Sequence, residues 1–273
     1  MRLGRRNWWD NISAKDRIAI VVAGTIVVGL VVTATIFIPM IPEGPKFDPQ
    51  TFCPEKGVRS HTIVIFDRTD AMTPSQIRAV TAVMDKLKVD LKEGEKLSVH
   101  EIDPGEVNGL SEPLFSLCKP PDGSSANSLY ENPRILRQRF EEKFGRPLEE
   151  MLSESLRGGG ANRSPIMESL LDVALLADFS GDQGNRWLVI FSDLLQHTAS
   201  WSQYGSTESF KKFFDTPVGR KLVPDLSGVK VKVYYLLRFR LDGRVLQDDA
   251  HIAFWERYFE AASARVMQIQ KVR

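Results

Sequence analysis

Hydrophobic positions fall into three patterns along this chain, and each predicts a different kind of element. Ile18 to Ile38 is continuously apolar and uncharged. At about 1.5 Å per residue, a helix of that length crosses the roughly 30 Å hydrocarbon core of a bilayer. Short runs rich in β-branched residues follow at wide intervals: about Thr62 to Phe66, Leu97 to Ile102, Trp187 to Ser192 and Val229 to Leu237, with Val266 to Ile269 as a terminal edge strand. Runs this short, bounded by turn residues, read as buried strands.

Between the strands, apolar residues recur at helical spacing. Ile77, Val80, Val83, Met84 and Leu87 form one stripe, and Ile135, Leu136, Phe140 and Phe144 form another that resumes through Leu148, Met151, Leu152 and Leu156. A third stripe is Ile166, Leu170, Val173, Ala174 and Ala177, and a last helix covers Phe254 to Ala262. Thr73-Pro74 and Ser164-Pro165 each place a capping hydroxyl before a proline suited to a first helical turn. Gly158-Gly-Gly160 ends the second stripe. Asp103 to Asn132 shows no period and reads as one long loop, either functional or an insertion. Strands alternating with helices predict an α/β domain with a doubly wound, mostly parallel sheet and helices on both faces, preceded by one transmembrane helix.

The same pattern divides the chain into a leader (1–17), the membrane helix (18–38), a spacer rich in Pro and Gly (39–57) and one domain (58–273). Arg2, Arg5, Arg6, Lys15 and Arg17 precede the apolar run, whereas the segment just after it offers only Lys46. By the positive-inside rule the amino terminus is cytoplasmic, and the domain lies in the periplasm of a bacterial inner membrane. Trp8 and Trp9 suit an interfacial anchor. A cleaved signal peptide is the competing reading, but the apolar core is too long and no small-x-small cleavage pattern follows it.

Charge and cysteine content refine this picture. The formal net charge is +1 and the leader is basic, so the remainder is slightly acidic and nothing points to nucleic acid. The only two cysteines, Cys53 and Cys118, stand in loop-like surroundings, and an oxidising compartment favours a disulfide between them over two free thiols. The four histidines, His61, His100, His197 and His251, show no ligand spacing.

Candidate chemistry gathers where strands stop. Asp67, Thr69 and Asp70 follow the first strand, Asp193 follows a later one, and Ser164 follows the glycine triplet. Ligands of open α/β sheets sit beyond the carboxyl ends of strands, which is where these oxygens would meet. Trp201 and Tyr204, in the loop after Asp193, are the kind of aromatic residue that anchors an interface, or else they cover the core beneath their own loop.

Over about residues 60 to 265 this pattern resembles the von Willebrand factor A domains, in the elements Asp67-Arg-Thr69-Asp-Ala71, Gly158-Gly-Gly-Ala-Asn-Arg-Ser164-Pro165 and Phe191-Ser-Asp193. The resemblance implies a metal-ion-dependent adhesion site. Mg²⁺, or Mn²⁺ in its place, would be held by Thr69 and Ser164 directly and by Asp67 and Asp193 through water. An acidic side chain of a protein partner would complete the site, with Asp70 beside it. Ala71 departs from the family pattern: it stands where a second serine hydroxyl is expected, so one direct ligand is missing. A degenerate, metal-free interaction site is therefore the alternative. The first strand is also similar to the Asp-x-Asp-x-Thr of haloacid-dehalogenase-type phosphotransferases. There Asp67 would be a nucleophile, but Thr69 occupies the general acid's position.

Overall fold

In the computed structural model, residues 12–37, 46–105, 109–127, 131–157, 159–180, 184–204, 209–238 and 247–273 are described. Residues 1–11 with Trp8 and Trp9, Ile38 with the first part of the spacer (39–45), and Gly158 lie outside the described residues. The chain divides into two units, residues 1–46 and 47–273. In the first, the apolar run forms α1 (Ala14–Phe37), with a mean hydropathy of 2.6 and no buried residue. It is long and apolar enough to cross a membrane.

In the second unit the described strands are β1 (Ser60–Phe66), β2 (Lys96–Glu101), β3 (Phe115–Cys118), β4 (Asn185–Ser192), β5 (Val229–Leu236) and β6 (Arg265–Val272). They form one sheet in the order β3-β2-β1-β4-β5-β6. Every neighbouring pair is parallel except β2 and β3. The helices are α2 (Pro74–Asp90), α3 (Pro133–Phe140), α4 (Arg146–Ser155), α5 (Ile166–Leu175), α6 (Phe210–Phe214), α7 (Pro217–Lys221) and α8 (Asp249–Ala261). The fold is the doubly wound α/β architecture that the alternation predicts.

Local chemistry explains most boundaries. Thr73 caps α2 in a full capping box with Gln76, ahead of Pro74. Between α3 and α4 the chain makes a π-helical turn, Glu141–Gly145, just before Pro147. Proline lacks an N–H and clashes with the carbonyl four residues back, and a wider turn relieves both problems. That turn also keeps Phe140, Phe144, Leu148, Leu152 and Leu156 on one buried stripe, although strict four-residue spacing outruns a 3.6-residue helix. Two cores result. One packs α5, α6 and α8 against Leu188, Val231 and Val233, and the other packs α2, α3 and α4 against Val64, Val99 and Phe191.

Three expectations require correction. The stretch 103–132 is not all loop, because β3 lies within it as a short antiparallel edge. Four residues bounded by prolines give no detectable period. Ser164 does not cap α5, whose N-cap is Pro165 without a side-chain bond, since the Ser164 hydroxyl faces Thr69. Ala177 is exposed because the helix has ended at Leu175.

Cys53 and Cys118 are bonded across a sequence separation of 65. The bridge joins the chain entering the domain to β3, where Cys118 N–H also donates to the Thr51 carbonyl at 2.9 Å. In the chain-entropy picture, closing a loop of that length is worth about 4 kcal/mol. The Cys53→Ser/Cys118→Ser variant is therefore expected to unfold at a clearly lower urea concentration than the oxidised protein. Coincident unfolding curves would show that the bridge contributes nothing.

Candidate functional site

The strand order places a topological switch point between β1 and β4, because the chain leaves these neighbours toward opposite edges of the sheet. Their carboxyl ends are locked in register by a ladder of stacked rings, Phe66 on Phe191 and Phe191 on Tyr234, with centroids 5.0 and 4.8 Å apart. The residues that follow, Asp67 and Ser192-Asp193, emerge side by side at this crevice, and Asp67 N–H donates to the Phe191 carbonyl at 2.9 Å.

Asp67 is fully buried, and both of its oxygens are engaged. Oδ1 accepts from the Thr69 amide at 3.0 Å and the Thr69 hydroxyl at 2.6 Å, while Oδ2 accepts from the Ser192 hydroxyl at 2.6 Å. Thr69 Oγ1 also lies 3.3 Å from Ser164 Oγ. Ser164 is fixed by a two-way backbone bridge to His197, with N–H···O distances of 2.7 and 2.9 Å. Gly159 lets the preceding loop approach this point. Its φ is +143°, and a Cβ there would lie 2.9 Å from the Ala71 backbone.

Asp193 carries the largest electrostatic demand. Its side chain is 1% exposed, Oδ1 accepts from Leu195 N–H at 2.8 Å, and Oδ2 accepts from Arg238 Nε at 2.8 Å. Burial first, then the Asp67 carboxylate, push its pKa up to about 7 against the pull of Arg238. The Arg238 guanidinium then spans the crevice, donating to the backbone carbonyls of Ala71 at 2.7 Å and Asp70 at 3.3 Å. Gln247 Nε2 holds the Asp193 carbonyl at 3.1 Å.

The turn after Asp193 is strained. Leu194 has φ +57°, an uncommon conformation for a branched residue. Two ring N–H groups hold its carbonyl, Trp255 Nε1 at 2.9 Å and His251 Nε2 at 3.1 Å. Because a carbonyl only accepts, His251 carries its proton on Nε2, and Nδ1 accepts from the Tyr235 hydroxyl at 2.6 Å. Burial pushes His251 down to about 4, which keeps it neutral in this role.

The structure thus brings together Asp67, Thr69, Ser164 and Asp193. Asp70 and Tyr204 meet at the rim, where the Tyr204 hydroxyl donates to Asp70 Oδ2 at 3.5 Å and burial raises its pKa. They line a cavity of about 330 Å³ with Ala71, Thr73 and Arg238. The Asp70 side chain is 46% exposed and available to an incoming group. Trp201, for which an interface anchor and a cover for the core were both open, turns inward and packs edge-on against Phe213 at 4.8 Å, where its large apolar ring is shielded beneath the loop. Sequence reasoning missed Arg238, Gln247 and Ser192. Arg238 follows β5 almost directly, so the strand-end rule that selected Asp67 and Asp193 would have found it.

As arranged, these residues do not fit Mg²⁺. A hard dication needs six oxygens in near-ideal octahedral geometry. Here both carboxylates spend their oxygens on protein donors, Ala71 has no oxygen in its side chain, and a guanidinium already neutralises Asp193. Among the described residues no group of three or more His, Cys, Asp and Glu could hold a metal.

No protein-family profile matches the chain, and no curated protein does. Among solved structures the chain is similar to the VWA domain of SpRpn10, at 13% identity and a TM-score of 0.39 over 79% of this chain and 90% of that one. It is also similar to the conserved hypothetical protein BatB from Bacteroides thetaiotaomicron, at 12% identity and 0.37 over 79% and 91%. A mussel byssus protein, proximal thread matrix protein 1 with a zinc-occupied MIDAS motif, matches at 14% and 0.38 over 80% of this chain and 45% of that one. Similarity this distant assigns neither a metal nor a partner to the chain.

Asp193 gives a pH prediction with a definite sign. An acid whose folded pKa of about 7 exceeds the ordinary aspartate value of 3.8 favours the fold at low pH. That contribution is lost as pH rises through this window. The stability of the wild type minus that of Asp193→Asn is expected to fall between about pH 4 and pH 7, by on the order of 1 kcal/mol per pH unit. His61 and His251, both pushed down to about 4, act in the opposite sense but cancel in the difference. Urea titrations across the range test this, and a flat or rising difference contradicts it.

Proposed function

We propose that this chain is a single-pass, membrane-anchored interaction module of von Willebrand A type that meets a protein partner at the carboxyl ends of β1 and β4 without a metal ion. Arg238 is the observation that carries this reading. It places a permanent cation between Asp193 and the backbone of Asp70 and Ala71, where a metal-dependent site would need open oxygens. The loops are therefore set in shape before any partner arrives, and prior ordering lowers the entropic cost of binding. Asp70 and Tyr204 form the recognition rim, and Asp70 offers a carboxylate to a donor or cation on the partner.

The reading also places α1 in a bacterial inner membrane, with a cytoplasmic amino terminus and a periplasmic domain. Support comes from the basic flank before α1 and from the Cys53–Cys118 bridge, which suits an oxidising compartment. A phosphotransferase reading of Asp67 finds no support, since that carboxylate is sealed from solvent with both oxygens engaged.

Calorimetric titration of the detergent-solubilised full chain with Mg²⁺ or Mn²⁺ to millimolar levels is expected to give no saturable binding. Saturable binding that is lost in Asp67→Ala would overturn the metal-free reading. In quantitative copurification, the proteins retained by the wild type should drop by roughly tenfold with Asp70→Lys and with Tyr204→Ala, the scale of a good interface residue. Unchanged recovery in both variants rules out the rim.

Topology has its own test, because a reporter fused after Arg273 should be active only if it matures in the periplasm. Activity of a cytoplasm-only reporter at the same position would reverse the orientation.

A further inference from the structure

The sheet is covered unequally on its two faces. On one face α5, α6 and α8 bury Val229, Val231, Val233 and Tyr235 of β5. On the other face, α2, α3 and α4 pack over β1, β2 and β4, while the alternate residues of β5, Lys230, Lys232 and Tyr234, stay half-buried. Their neighbours across on β6, Arg265, Gln268 and Gln270, are exposed. Parallel strands are ordinarily covered on both sides. Two strands at about 4.8 Å spacing make a strip of about 10 Å, which is one helix wide.

The chemistry of this strip is specific. Lys230 Nζ and Lys232 Nζ both lie over the Trp187 ring, 5.1 and 4.8 Å from its centroid. Lys230 also donates to Asn185 Oδ1 at 3.1 Å, and among the described residues neither lysine nor Arg265 pairs with a carboxylate. Beside them a notch of about 290 Å³ opens along the end of α2, lined by Leu87, Leu91, Trp187 and Val189 and also by Asp90, which Lys86 pairs at 2.6 Å, and Glu95, which accepts from the Lys92 amide. Cations without a carboxylate partner thus lie on a helix-wide strip beside the apolar side chains of the notch, toward the amino ends of the strands and away from Asp67.

We propose that this strip docks one acidic amphipathic helix of a partner protein. The apolar stripe of that helix lies on Trp187 and the adjoining notch, and its carboxylates lie on Lys230, Lys232 and Arg265. The helix completes the second layer beside α2.

The test uses the full chain in non-ionic detergent and a fluorescent synthetic helix with leucine at i, i+3, i+4 and i+7 flanked by glutamates, followed by anisotropy. Saturable binding is expected. It should weaken roughly tenfold in Lys230→Glu/Lys232→Glu, less in Lys230→Gln/Lys232→Gln, and also with added salt. Circular dichroism melts confirm that each variant is folded. Absence of saturable binding, equal affinity in the charge-reversed variant, or equal affinity for a helix with lysines in place of the glutamates would overturn the proposal. So would pelleting of the wild type, but not the charge-reversed variant, with anionic vesicles, or a dimer of the wild type that charge reversal dissociates. These results would assign the strip to lipid or to a second copy of the chain.

Discussion

A carboxylate sealed inside a protein has to be neutralised, and much of this domain's upper edge is arranged around that requirement at Asp193. Arg238 supplies the charge, and its remaining N–H groups bind the carbonyls of Asp70 and Ala71, so one side chain ties the ends of β1, β4 and β5 together. Removing one member of a buried pair leaves the other charge stranded, typically at 3–5 kcal/mol. Asp67 is handled differently, with hydroxyls and an amide in place of a cation. Two acids at the same crevice are thus stabilised by distinct means, and the strained turn at Leu194 is held by the rings of His251 and Trp255.

The arrangement gives the crevice a particular character. In a metal site of this geometry the cation is exchangeable, and its affinity sets when the surface becomes competent. A guanidinium fixed to the end of β5 cannot leave. What remains variable is the rim, where Asp70 stands half in solvent and Tyr204 stays protonated beside it. On the proposed reading, recognition is thereby shifted from the centre of the site to its edge.

How much of this was legible in the chain depended on the range of the interaction involved. Strands with strong local patterns, such as Ile63 to Phe66 and Leu188 to Phe191, declare themselves, and Thr73 with Gln76 marks a helix start within four residues. The convergence of Asp67, Thr69 and Asp193 follows from the rule that parallel strands present their carboxyl ends together, whereas Ser164, in the connection between α4 and α5, was suggested by the resemblance of its Gly-rich loop. The pairing of Arg238 with Asp193 is a contact between residues far apart in the chain, and no spacing announces it. β3 escaped because four residues carry no period, and Trp201 was ambiguous because an indole suits an interface and a core equally well. The π turn before Pro147 was readable only in retrospect, from a stripe spaced too evenly for an ordinary helix.

The bridge between Cys53 and Cys118 also has a mechanical consequence. A pull transmitted along the chain from α1 reaches Cys53 first, and from there the covalent path crosses directly to Cys118 at the edge of the sheet. Residues 54–117 form a loop off that path, and they include β1 with Asp67 and the whole of α2. Tension between α1 and anything gripping the later strands therefore passes covalently through sulfur and bypasses the backbone of the central strand and its buried acid.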